Sequence, residues 1–275
     1  WQALERIISV GDVTFYFSAL VSVQSSLNGI SDNVSALNAY TLYFDKYKEM
    51  QTLPNDLYES EQPKRVPTLE RGITLKDVSF AYQNDLHPAL NNISLTIPAG
   101  KTFAIVGENG SGKTTLAKLL TRLYDPDEGQ IMWDDIDVRE FTPEALRNHI
   151  APVFQDFARY QLTLRENIGL GDVRRGDDRR AIEEAAHDAG LYDLIEKLPR
   201  GFDTILSHTI LDDGSNGMDI SGGEWQKIAL ARVHLRKADF VVLDEPTADL
   251  VPVAERAIYE QFLAQKGERT ALIIS

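Results

Sequence analysis

An α/β domain with a parallel-sheet core is what this sequence predicts, on three observations. The short continuous apolar runs at residues 240–243 and 270–274 have the pattern of parallel strands covered on both faces. The run at 102–106 is almost wholly apolar and reads as a third buried strand. It leads into the glycine-rich stretch GENGSGKT at 107–114, after which Leu116, Leu119, Leu120 and Leu123 fall at i, i+3, i+4 and i+7 and form one apolar helix face. Strand, glycine loop and helix come in the order that a phosphate-binding turn requires.

The other elements follow along the chain. Residues 13–31 carry no formal charge and approach the ~20 residues that cross a bilayer. Ser18, Ser22, Gln24, Ser25, Ser26 and Asn28 make the second half polar, however, and alone the segment reads as an amphipathic helix in water. Residues 51–72 hold Pro54, Pro63 and Pro67 among charges without an apolar period, the composition of a linker. Residues 73–80 alternate in part and 93–97 alternate fully, which predicts a half-exposed sheet. Residues 179–198 have helical spacing in Ile182, Ala186 and Ala189 and again in Leu191, Leu194, Ile195 and Leu198, with Gly190 as a break.

With 275 residues and 43% hydrophobic content the chain can fill a packed core. A formal net charge of −14 repels a polyphosphate backbone, so nucleic acid is not an expected partner, whereas a single nucleotide needs only local positive charge. The absence of cysteine removes disulfides, thiolate metal sites and thiol nucleophiles. The start at Trp1 without Met and the finish on an apolar run ending at Ser275 look like cuts through a longer protein, and no signal peptide is recognisable.

The chemistry begins at the glycine loop. GENGSGKT fits G-x-x-x-x-G-K-[ST], in which glycines let backbone N–H groups curl around phosphates, Lys113 reaches the terminal phosphates and Thr114 ligates Mg²⁺. From average residue frequencies this pattern arises by accident in roughly one chain in a hundred of this length. Gly107, Asn109, Gly110, Ser111, Gly112 and Thr115 complete the set expected to hold ATP. A carboxylate must complete the metal shell, and FVVLDE supplies Asp244 at the C-terminal end of an apolar strand, the ligand-binding edge of a parallel sheet. Glu245, next in sequence, is the candidate for polarising a water that attacks the γ-phosphate.

A second anion site opens at residue 220, where ISGGEWQKIALAR puts a serine and two glycines at the start of a helix. Taken alone that is also an ordinary serine-capped helix. The order of phosphate loop, then SGGE with QKIALAR, then LDEPT resembles the nucleotide-binding domain of ATP-binding cassette (ABC) proteins, over residues 73–275. The resemblance implies a P-loop NTPase fold of the ABC ATPase type, with a parallel-sheet core, an antiparallel β subdomain and an α-helical subdomain. It implies that Tyr82, in VSFAY, stacks on adenine, and that Gln155, in PVFQD, touches the Mg²⁺ and water shell as a catalytic and metal-shell residue beside Glu245. It further implies that Ser221, Gly222 and Gly223 meet the γ-phosphate of ATP on a second ABC domain, in a head-to-tail dimer with two ATP molecules at its interface.

By the same resemblance, residues 13–31 become the last transmembrane helix of an exporter, residues 33–50 its cytoplasmic extension, and residues 51–72 the linker to the ATPase domain. The expected place is a cell membrane, crossed several times, with the ATP-binding domain on the cytoplasmic side. The family's short loop after LDEPT usually ends in Asp, where this sequence has Val251, with Asp249 two residues earlier. The family's switch histidine would follow Ser275, and Glu224 stands where Gln is commoner. Two other classes stay open. A soluble ABC ATPase of DNA repair or translation predicts basic grooves or heptads, which the charge and sequence do not supply. An ATP-binding switch with little turnover is suggested by Val251 and by the switch histidine not being within this sequence.

Overall fold

The computed structural model describes residues 9–52, 57–83, 87–207, 217–245 and 269–275. The chain divides into two units, Trp1–Asn55 and Asp56–Ser275.

In the first unit a single helix, α1 (Val10–Gln51, 42 residues), starts at a capping box in which Ser9 and Asp12 satisfy each other's backbone N–H groups. No residue of α1 is buried, and its apolar side chains, among them Phe15, Phe17, Leu20, Leu37 and Tyr43, are exposed. Five of its hydroxyls turn back onto the helix: Thr14, Ser18, Ser26, Ser35 and Thr41 each donate to the carbonyl four residues earlier. The expected span at 13–31 and its extension at 33–50 lie on this one continuous helix. Among the described residues no helix is both long and apolar enough to cross a membrane, and the polar second half of the expected span is the reason.

The second unit includes residues 57–71, most of the expected linker, and their later part packs on the domain. Val66 and Leu69 are buried, and Trp133 Nε1 donates to Pro67 O at 3.0 Å. Two sheets follow. The first, antiparallel, has the order β2-β1-β4-β5, built from β1 (Gly72–Phe80), β2 (Leu90–Pro98), β4 (Glu128–Trp133) and β5 (Ile136–Asp137). β2 is half exposed as expected; β1, its neighbour on the inside of the sheet, is more deeply buried.

The second sheet is parallel, with the order β3-β8-β7-β6, from β3 (Thr102–Ile105), β6 (Ile150–Val153), β7 (Phe240–Asp244) and β8 (Thr270–Ile274). β7 is buried throughout, and its side chains alternate between two cores. Phe240 and Val242 join the core beneath α2 (Lys113–Leu120), with Leu116, Leu119 and Leu120. Val241 and Leu243 join the core of the helical region, made by α4 (Leu164–Gly169), α5 (Arg179–Asp188), α6 (Tyr192–Lys197) and α7 (Gly222–Arg236). The period of two along a strand thus gives β7 two apolar faces and explains its unbroken apolar run. α3 (Pro143–Arg147) precedes β6.

Two expectations are corrected by these contacts and a third holds. β3 was expected to be a buried strand, but Thr102 and Ala104 are exposed and Phe103 and Ile105 only half buried, since among the described strands it pairs on one side alone. Leu123 was expected on the α2 face but lies past its end and is 42% exposed, because the chain leaves the helix with Arg122 in the left-handed region (φ 53°). Gly190, at φ 68°, breaks α5 from α6 as its conformational freedom suggested.

Candidate functional site

The phosphate loop is placed by its two glycines with positive φ, Gly110 (82°) and Gly112 (90°). Gly112 has a second constraint. A Cβ there would lie 2.5 Å from Ala89 O and 2.9 Å from Leu90 Cδ2, so the loop approaches the start of β2 more closely than any side chain permits. α2 begins at the next residue, directing its free N–H groups and the positive end of its dipole toward the loop. Lys113 is buried at 8% exposure, and its Nζ donates to Gly107 O (2.7 Å) and Glu108 O (3.0 Å), so the loop wraps around a fixed ammonium.

The carboxylates sit at the C-terminal end of β7. Asp244 is completely buried, and among the described residues neither of its oxygens meets a partner in full hydrogen-bond geometry, although the Thr114 hydroxyl lies close enough to act on it. Burial raises its carboxyl above the ordinary value, with Glu245 adding to the rise and Thr114 and Lys113 opposing it. A buried carboxylate so placed, beside a threonine hydroxyl and an ammonium, is costly unless a cation joins it, and this donor set of hard oxygens suits Mg²⁺. Glu245 leaves the strand with φ 46°, a left-handed conformation unusual for a residue with a side chain, and its N–H is held by Ile274 O at 3.0 Å.

A cleft of about 410 Å³ joins these elements. Tyr82, Asn109, Gly110, Gly112, Lys113, Thr114, Thr115, Gln155 and Glu245 all line it, each a residue expected from sequence. Gln155 enters from the segment after β6. Tyr82 is tied down on one side: its hydroxyl lies 3.2 Å from Thr115 Oγ1, and its ring meets Phe80 and Tyr124 edge-on at 5.1 and 5.5 Å. Lys118 Nζ lies 5.6 Å from the same ring. Ala89 also lines the cleft and was not expected; a small residue in a loop carries no signal in sequence. Gly107, Ser111 and Asp244 are not in the lining, although Gly107 O and Asp244 flank it through Lys113.

Ser221, Gly222 and Gly223 are not in the cleft either. Ser221 caps α7, accepting from Glu224 N at 3.3 Å, while Glu224 Oε2 accepts from both Ser221 N–H and Ser221 Oγ at 2.8 Å. The helix behind this cap is anchored by Arg232, which donates to Ala158 O, Asn167 O and Asn167 Oδ1 at 2.8 to 2.9 Å. Asp249 and Val251, where the sequence departs from the family's pattern, lie outside the described residues.

A glycine loop holding a fixed lysine before a helix, and two acids at the adjoining strand end, define an ATP-binding domain of the P-loop class. The chain belongs to the ABC transporter family, which matches it over residues 90–248. It is 37% identical over 269 residues to the ATP-dependent lipid A-core flippase of Escherichia coli (strain K12), covering 98% of this chain and 44% of the relative. The lipid A-core flippase of Shigella flexneri matches to the same extent. The chain therefore spans less than half the length of these curated relatives. Among solved structures it resembles a bacterial Atm1-family ABC exporter with ATP bound, at a TM-score of 0.74 and 31% identity, over 85% of this chain and 39% of that one. The fold is accordingly that of an ABC ATPase domain homologous to those of exporters.

Proposed function

We propose that this chain is the ATP-hydrolysing part of a membrane exporter, working as one of two ABC domains that close head to tail on ATP. The observation that carries the reading is the convergence of Lys113, Thr114, Gln155 and Glu245 on one cleft, with the buried carboxylate of Asp244 behind them. Lys113 and the N–H groups at the start of α2 would bind the phosphates. Thr114 and Asp244, with Gln155, would hold Mg²⁺, which when bound supplies charge neutralisation at the β- and γ-phosphate oxygens. Glu245 would orient the attacking water, and its position directly after the strand keeps it beside Gln155 at the cleft. Tyr82 would carry the adenine, and Ser221, Gly222 and Gly223 would complete the pocket of the opposite domain.

The exporter part of the reading is supported by the reach of the homology. A match over 98% of the chain includes most of α1, so the helix belongs to the similarity and not only the ATPase domain. We assign α1 to the end of a transmembrane domain on the same chain, in a multi-pass membrane protein with the ATPase domain on the cytoplasmic side. Its exposed aromatic and aliphatic side chains need apolar neighbours, and the hydroxyls of Thr14, Ser18 and Ser26 are already satisfied within the helix. Such a helix suits packing against other membrane helices and a substrate path, where intramembrane polarity is tolerated. The boundaries proposed are residues 1–50 for this region, 51–72 for the connection and 73–275 for the ATPase domain.

The test is ATP-driven transport by the intact protein in sealed vesicles, with Glu245→Gln alongside. Transport and hydrolysis falling together, with ATP binding retained, is the expected result. Equal hydrolysis by both proteins would refute the role of Glu245, and ATP hydrolysis by an intact protein that is soluble without detergent would refute the exporter reading.

A further inference from the structure

Glu224 occupies a place in the α7 cap where its charge bears on what Ser221 can do. Its Oε2 accepts the N–H of Ser221 and also the hydroxyl proton of Ser221, both at 2.8 Å, while Ser221 Oγ accepts from Glu224 N at 3.3 Å. A serine hydroxyl has one proton to give. A phosphate oxygen can only accept, so a hydroxyl that binds the γ-phosphate must donate that proton to it. The carboxylate of Glu224 and an incoming γ-phosphate therefore compete for the same proton, and both are anions.

We propose that Glu224 is a positioning residue that holds the Ser221 hydroxyl away from the γ-phosphate and so weakens ATP-driven closure of the two domains. This rests on the reading that Ser221, Gly222 and Gly223 contact the ATP of a second domain. Hydrogen bonds to an ionised acceptor are roughly twice as strong as those between neutral groups. A carboxylate at this position keeps the hydroxyl in the cap, and closure must either break that bond or rely on the N–H groups at the helix start. A neutral amide at 224 would satisfy the same cap, since Glu and Gln serve equally in a capping box, but would surrender the proton to a charged phosphate.

The consequence is specific to this pair. Glu224→Gln should tighten ATP binding about fivefold to tenfold, the difference between a charge-assisted and a neutral hydrogen bond. In steady state KM for ATP should fall while kcat stays level or declines, because a more stable closed state reopens more slowly. Simple relief of charge repulsion would also tighten binding, but it would not need the Ser221 hydroxyl.

The experiment is equilibrium binding of ATP with Mg²⁺ to the intact protein carrying Glu245→Gln to block turnover, combined with Glu224→Gln, Ser221→Ala or both. The expected result is tighter binding with Glu224→Gln, weaker binding with Ser221→Ala, and no gain from Glu224→Gln once Ser221 is Ala. Binding unchanged by Glu224→Gln while Ser221→Ala weakens it overturns the inference, as does a gain that persists without the serine hydroxyl. If Ser221→Ala leaves affinity unchanged, the two-domain reading itself fails and takes this inference with it.

Discussion

The guanidinium of Arg122, completely buried at the end of the phosphate-loop helix, donates to the main-chain oxygen of Tyr58 at 2.5 Å. The same group serves Val138 O, Phe141 O and Asp125 Oδ1, and Asp125 in turn accepts the N–H of Tyr58. One side chain thus joins the segment entering the domain to the helix that carries Lys113. Replacing it strands several acceptors at once. Arg122→Met is expected to cost about 3 kcal/mol of stability, within the range for removing one partner of a buried charge network. Urea unfolding of the intact protein measures it, and a loss below ~1 kcal/mol would mean that water replaces the guanidinium.

Lys113 offers a test of the phosphate loop. Its ammonium is already desolvated and held by Gly107 O and Glu108 O, so Lys113→Ala removes a preorganised charge as well as a brace of the loop. Binding of ATP, measured by calorimetry, should weaken at least tenfold, as expected for a charge-assisted contact to phosphate. Unchanged affinity would sink the assignment of the loop.

Asp244 should behave oppositely with and without a divalent cation. Its carboxyl is raised by burial, so folding disfavours the ionised form, and the penalty is present at every pH above the ordinary carboxylate value and vanishes below it. Asp244→Asn is therefore expected to melt higher than the parent protein at pH 7 in EDTA. Added Mg²⁺ and ATP should raise the melting point of the parent much more than that of the variant. Equal gains for both would remove Asp244 from the metal shell.

His234, on α7, gives a pH dependence of stability. Burial pushes its imidazole down to about 4, helped by Arg269 and opposed by Asp188. The unfolded chain takes up a proton near pH 6.5, whereas the folded one resists until about 4. The stability held by the neutral ring is complete above 6.5 and is lost as pH falls, reaching ~3 kcal/mol by pH 4. Denaturation at pH 7, 5.5 and 4.5 should show this decline, and His234→Leu should flatten it. An identical slope in the variant would place the acid sensitivity elsewhere.

Much of the candidate site is legible in the sequence. The spacing of glycines and lysine in 107–114 and the acids closing an apolar strand are local patterns, and the chemistry of phosphate and magnesium demands those residue types together. Tyr82 was legible only through family resemblance; its contacts with Thr115, Phe80 and Tyr124 depend on how separate segments meet. Ala89 and Arg122 gave no signal, since one acts by being small where β2 nears Gly112 and the other by filling a buried space between distant carbonyls. β3 misled because an apolar run records a preference for burial, not the number of neighbours that the sheet provides.

The sequence by itself determined that the chain carries a phosphate-binding loop and a capped second helix start, because both are written within a few consecutive residues and rest on backbone geometry. Tertiary structure decided which of these residues share a cleft: Lys113, Gln155 and Glu245 come together because parallel strands deliver their C-terminal ends to one edge, while Ser221 remains outside it. It also decided the complete burial of Asp244, a property of packing around β7 that no residue pattern records.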